Sequence, residues 1–277
     1  MLSERRDLAR LKARYCFDQG RTAVRHEHSG SLRLLKSLYP EGRAICHSVL
    51  VHPPSGLVGG DVLDMELELG PGAHALVTTP GATRFYRGEH PARQHLSARL
   101  GDGARLEWLP LEAIAYPGCD GQNEMRFALD AGAELLAWDM TALGLPGAGQ
   151  PFASGRFTQH LEICGRWLER GTMAADDALL MNGAAGLAGH RCLASLVFAA
   201  GLPIERARRE RALDAARAVI DAQPLHAGAT AVRDDVLVLR ALAPLVEPAS
   251  SLLRRCWAAW RQELWGLPGD QPRLWSM

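Results

Sequence analysis

The sequence carries no net charge: 31 Lys+Arg balance 31 Asp+Glu among 277 residues. Dedicated nucleic-acid binders usually show a basic excess, so the balance argues against that class. No apolar run approaches the length of a membrane span. Residues Met1-Leu2-Ser3-Glu4-Arg5-Arg6-Asp7 lack the apolar core of a signal peptide. Together these absences point to a protein of the cytoplasm. Cys16, Cys46, Cys119, Cys164, Cys192 and Cys256 are scattered, with no CxxC or CxxH spacing. That pattern excludes a small secreted disulfide framework and predicts mostly buried, hydrophobe-like cysteines. The phosphate-cradling GxxxxGK[ST] loop, the GxSxG nucleophile elbow and the HExxH zinc helix are all missing. Gly183-Ala184-Ala185-Gly186-Leu187-Ala188-Gly189 is glycine-rich without the GxGxxG pattern, and reads as a loop or tight sheet corner. Nothing announces an enzyme.

What is present is a soluble globular composition, 47% hydrophobic and 22% charged. The neutral sum hides a division. Residues 61–139 hold 6 basic and 13 acidic side chains, whereas residues 1–60 hold 10 and 5. An acidic middle is either a surface for cations or the solvent face of half-buried strands. Three segments in and beside it are alike: 65–77, 96–108 and 125–137. Each alternates apolar and polar residues, turns at Gly72, Gly103 or Gly132, and alternates again. Period-two alternation with glycine at the tip predicts stacked β-hairpins. Further strands are expected at 44–51, 74–79, 157–163 and 191–198. Ile204 to Gln223 has helical spacing between Pro203 and Pro224. A second helix is expected around Leu252, Leu253, Cys256, Trp257, Trp260, Leu264 and Trp265, after Pro248 and before Pro268, with its tryptophan face packed on the sheet. The expected fold is therefore mainly β, an extended stack of hairpin sheets with two C-terminal α-helices. It forms one domain, β-rich over 15–202 and helical over 203–277.

Two prolines and three glycines shape Val51-His52-Pro53-Pro54-Ser55-Gly56-Leu57-Val58-Gly59-Gly60-Asp61 into a specific loop. With Thr78-Thr79-Pro80-Gly81-Ala82-Thr83-Arg84-Phe85-Tyr86-Arg87, this stretch closely resembles the UreD (UreH) family of urease accessory proteins. The resemblance continues through Leu109-Pro110-Leu111-Glu112-Ala113, Trp138-Asp139, Leu143-Gly144-Leu145-Pro146, Gly186-Leu187-Ala188-Gly189-His190, Leu237-Val238-Leu239-Arg240 and Pro272-Arg273-Leu274-Trp275-Ser276. It departs from the family pattern at Leu111 (often Gln), Leu145 (often Arg) and Asp139 (often Glu).

The resemblance implies a non-catalytic maturation factor. Such proteins bind the urease apoprotein subunits and recruit a UreF-like protein and a UreG-like GTPase for nickel delivery, with nickel in transit and no tightly bound cofactor. A conduit needs ligands that let a borderline cation go, which favours scattered carboxylates over His/Cys clusters. The candidates are Asp61, Glu66 and Asp139, with His52 beside the loop. Asp61 equally suits a cap on the turn after Gly60, and Glu66 a solvated strand position. Arg84, Tyr86 and Arg87 are candidates for partner contact, or for pinning their own loop. A competing class is an independent metal-binding protein or metalloenzyme using His26, His28, His52 and the acidic block. On a strand His26 and His28 would share a face; in a solvated turn they would not.

Overall fold

The computed structural model describes residues 7–276; the first six residues, read above for a leader, lie outside it. The chain forms three layers: a seven-stranded sheet, a second sheet of twelve strands, and helices on the far side of the second sheet. The fold is mainly β and stacked, as the alternation predicts.

Each repeat crosses from one sheet to the other. Its outgoing arm, Val62–Leu69, Ala92–Leu100 or Asp120–Leu129, lies in the seven-stranded sheet and pairs in parallel with the other outgoing arms. Its return arm, His74–Thr78, Arg105–Leu109 or Glu134–Leu145, lies in the second sheet, again in parallel register. The repeats are therefore arches, and the expected hairpin pairing within each copy is corrected. Burial gives the reason. Outgoing arms alternate buried and exposed residues, whereas Glu134–Leu145 is buried at nearly every position. Two such arms need different surroundings, which a single hairpin cannot provide. Gly72, Gly103 and Gly132 do turn the chain at positive φ, 68°, 66° and 75°. The turns stack, with Gly72 N donating to Asp102 O at 2.9 Å.

Strands Ile45–Val51, His74–Thr78, Arg156–Ile163 and Cys192–Ala200 match the expected segments within a residue or two. A short helix, α1 (Ala178–Asn182), precedes the glycine-rich turn. The two C-terminal helices are α2 (Arg206–Asp221) and α3 (Val246–Trp265). Glu205 caps α2 by accepting from Ala207 N and Arg208 N, both at 2.9 Å. Pro248 falls inside the first turn of α3, where its missing N–H costs nothing. An antiparallel strand pair, His226–Arg233 and Val236–Ala243, separates the helices. The stretch 203–277 is thus less helical than expected: the apolar run Val236–Ala243 is a buried strand of the second sheet.

Two apolar cores result. One fills the space between the sheets around Leu67, Leu96, Phe127 and Phe157. The other lies between the second sheet and the helices, with Trp257 and Trp260 fully buried in it. Within this second core sits a charge cluster. Glu107 and Arg261 are both inaccessible to solvent, with Arg261 Nε 3.1 Å from Glu107 Oε2. Trp257 Nε1 donates to Glu107 at 2.7 Å, and His74 Nε2 lies 2.9 Å from it. Arg261 also forks onto Glu41 at 2.7 and 3.0 Å, and His47 Nε2 meets Glu41 at 2.7 Å. Burial pushes the Glu41 carboxyl up, but the His47 and Arg261 hydrogen bonds outweigh it and hold it at about 2.

Arg261→Met leaves two buried carboxylates without their cation. The expected cost is about 3–5 kcal/mol in urea unfolding. Adding Glu107→Gln and Glu41→Gln should restore a substantial part of it.

Candidate functional site

The two signature loops interlock at one end of the stack. Gly59 and Gly88 touch through their backbones, so that a Cβ on Gly88 would stand 2.3 Å from Gly59 N. A Cβ on Gly56 would stand 2.2 Å from Tyr86 Cε2. These approaches are the local reason for glycine there. Asp61 is 6% exposed and accepts from Val58 N at 2.8 Å and Asp7 N at 2.7 Å. It acts as the cap on its own turn. His52 Nε2 lies 3.3 Å from Asp7 Oδ2, so Asp61 and His52 meet around Asp7. His52 Nδ1 is buried without a partner.

Glu66 is elsewhere. It lies on the solvent face of the seven-stranded sheet, 2.9 Å from Lys12 Nζ, beside the Arg14–Glu68 pair at 2.8 Å. Asp64 shares that face and meets His95 at 2.9 Å. Much of the acidic excess is therefore the outer side of a half-buried sheet, answered by the basic strand Leu8–Asp18, rather than an acidic interior. Exposed pairs of this kind add little stability.

Asp139 is the interior carboxylate. It projects from Glu134–Leu145 into the space between the sheets, and it is 6% exposed. Opposite it stands a row of amides that the sequence reading did not single out. Gln94, Asn123 and Gln159 are register partners on three adjacent parallel strands. Gln94 Nε2 donates to Asn123 Oδ1 at 3.1 Å, and Asn123 Nδ2 donates to Asp139 Oδ1 at 3.2 Å. Gln159 Nε2 donates to Asp139 Oδ2 and, at 3.0 Å, to Thr141 Oγ1. The signal was available: each is a polar residue at an inward position of an alternating strand. The row ends at a cavity of 360 Å³ lined by Asp139, Gln159, Glu169, Ser195, His226 and Arg240, among others. Arg240 Nε is tied to Glu169 at 2.7 Å, and Asp139 makes no ion pair among the described residues. Burial pushes its carboxyl up to about 6, against the hydrogen bonds from Gln159 and Asn123; Glu169 adds repulsion.

Arg84, Tyr86 and Arg87 do gather at the surface. Arg84 Nη1 reaches Ser55 Oγ at 3.4 Å, and Tyr86 packs tilted against Tyr116 with centroids 4.5 Å apart. Arg87 packs its stem over Gly118 and is exposed. Val58, 46% exposed, adds an apolar element at the same end of the stack. His26 and His28 share a face of the strand Arg21–Ser29, so they do not form a solvated turn; their rings stack 5.9 Å apart at 20°. Among the described residues no three His, Cys, Asp or Glu side chains converge as a metal cluster. No helix there is long and apolar enough to cross a membrane.

Fold and site together define a stacked β scaffold with a polar seam through an apolar interior and an aromatic–arginine loop surface at one end. The UreD urease accessory protein family model matches residues 8–276. The chain is similar to "Urease accessory protein UreD" of Paracidovorax citrulli, 61% identical over 97% of this chain and 99% of the relative. It is 55% identical to the protein of that name in a Polaromonas species, over 97% and 99%. A third such protein, from Leptothrix cholodnii, is 48% identical over 96% of each chain. The chain belongs to the UreD family of urease accessory proteins, whose part is in urease maturation; these relatives are named as accessory proteins, not as enzymes.

The raised Asp139 pKa has a stability consequence. An unfolded Asp titrates near 3.9, so between about pH 4 and pH 6 the folded chain keeps a proton that the unfolded chain has lost. The contribution is fully present below about pH 4 and disappears as pH rises through about 6, a change of about 3 kcal/mol. The stability difference between wild type and Asp139→Asn should fall across that window and stay flat above about pH 7, read from urea unfolding at each pH. A difference that is flat throughout contradicts the assignment.

Proposed function

We propose that this chain is the scaffold of urease maturation: it binds the urease apoprotein, recruits a UreF-like protein and a UreG-like GTPase, and passes nickel along the interior seam. The observation that carries the transit reading is Asp139, a buried carboxylate held only by neutral side chains. Amide donors stabilise its charge without cancelling it, so a passing dication finds an uncompensated anion. Oxygen donors grip a borderline cation loosely enough to release it. Carbonyl oxygens of Gln94, Asn123 and Gln159 supply further ligands of the same kind. Asp61 supports this path indirectly by shaping the loop, and Glu66 lies off it.

Replacing Asp139 by Asn keeps the shape and removes the charge. Urease purified from cells carrying this variant should contain several-fold less nickel while the accessory complex still assembles. Unchanged nickel content with an intact complex would remove the seam from the path.

The loop surface is the proposed partner contact. Tyr and Arg dominate interface hot spots, and Tyr86 with Arg84 presents both. Arg84→Ala and Arg87→Ala should each reduce capture of the UreG-like GTPase assembly in pull-downs, with thermal melts confirming that the variants fold. Full capture by both would place the contact elsewhere.

A further inference from the structure

One pair of side chains next to the seam has no task in the fold. His190 ends the glycine-rich turn after α1, and His226 opens the strand His226–Arg233. Their rings lie 5.0 Å apart, centroid to centroid, at an interplanar angle of 58°. Both side chains reach solvent, His226 more fully. Among the described residues neither imidazole nitrogen is taken by a hydrogen bond or an ion pair. Nitrogens left open on two touching rings permit a role in ligand binding.

Position supplies one. His226 lines the same cavity as Asp139 and Glu169, and His190 packs against His226 with its ring tilted. The backbone under His190 is held firmly. Ala188 and Gly189 turn at φ 47° and 83°. His190 N donates to Leu187 O at 2.8 Å. Arg191 clamps the turn, donating from Nη1 to the Met181 and His190 carbonyls and from Nη2 to Asn182 Oδ1, all at 2.9 Å.

The spacing suits a metal. A cation about 2.1 Å from an imidazole nitrogen lies about 3.2 Å from the ring centroid, so rings about 5 Å apart match two ligands at roughly 100° to each other. Imidazole suits nickel, copper and zinc, while the carboxylates deeper in the cavity are harder ligands. With only two imidazoles, the remaining positions stay open to water and exchange. His26 and His28 differ on both counts: their rings stack at 20°, and the cavity that His26 borders, where Arg14, Arg21 and Arg25 mix with Glu27, Glu66 and Glu68, includes none of the amide row.

We infer that His190 and His226 form an exchangeable two-histidine site for Ni²⁺ at the mouth of the seam, from which the cation passes to Glu169 and Asp139. The choice of nickel and the direction of passage rest on the transit reading above; the site itself rests on the rings and their surroundings.

The test titrates the purified full-length chain with nickel chloride against a competing chelator dye. Wild type is compared with His190→Ala, His226→Ala, the double variant, and His26→Ala/His28→Ala, with thermal melts to confirm folding. Loss of either ring should weaken nickel binding roughly tenfold or more, and His26→Ala/His28→Ala should leave it unchanged. X-ray absorption of the nickel-loaded wild type should show two imidazole ligands. Unchanged binding in the double variant, or a loss that follows His26 and His28 instead, overturns the site. Nickel content of urease from cells separates the two proposals. If the double variant loses nickel binding in the titration but urease is fully loaded, the site stands as a nickel site and its place at the mouth of the path falls, while the seam is judged by Asp139→Asn alone. If Asp139→Asn starves urease while the double variant binds nickel like wild type, the transit reading stands and this site falls.

Discussion

A sheet that is apolar on both faces cannot meet water on either side. In this chain that constraint falls on His74–Thr78, Arg105–Leu109, Glu134–Leu145, Cys192–Ala200 and Val236–Ala243. One face is covered by the outgoing arms of the arches. The other must be covered by α2 and α3, and the Glu107–Arg261 cluster determines how α3 sits. A carboxylate on a doubly buried strand needs a cation and donors, and α3 brings Arg261 and Trp257 to it on one helical face. A second anchor repeats the logic at Glu134, which accepts from Trp265 at 2.6 Å and from Arg208 at 2.7 Å. The three-layer order follows from these demands.

The space between the sheets shows the opposite economy. Apart from the buried Tyr15–Ser48 hydrogen bond, its polar side chains gather along one row, where Gln94, Asn123 and Gln159 fall at the same level of adjacent strands and Asp139 faces them. Parallel register is what aligns them: successive arches hold Gln94 and Asn123 at one level, and the neighbouring parallel strand Arg156–Ile163 continues that level with Gln159. An unbalanced buried carboxylate on that line is a poor contributor to stability. The loops at the end of the stack present Arg84 and Tyr86 on a backbone tightened by the Gly59–Gly88 contact.

Much of this was legible in the residues. The three glycine turns, the extents of most strands, both C-terminal helices and the buried tryptophan face follow from alternation, helical spacing and glycine placement. Asp61 as a turn cap was one of the two readings open to it. Other features were not legible. Glu66 and Asp139 look alike as acids on alternating strands, yet one is solvated beside Lys12 and the other is enclosed. The acidic block was open to two readings, a cation surface or the solvent face of half-buried strands, and Asp64, Glu66 and Glu68 follow the second, paired with Arg10, Lys12 and Arg14. Gln94, Asn123 and Gln159 lie on three separate strands, and nothing local marks them as neighbours.

By itself, the sequence determined where the chain turns, which residues alternate, and which helical faces are apolar. These are local properties: a glycine permits a positive φ, and a period of two or 3.6 assigns each side chain to a face. Only the tertiary structure decided what each face meets. Alternation cannot say whether a turn returns the chain into the same sheet or across to another, because both satisfy the same period. The arches resolved that in favour of crossing, since the return arms must be buried on both sides. That one outcome places Glu66 in water and Asp139 in the interior.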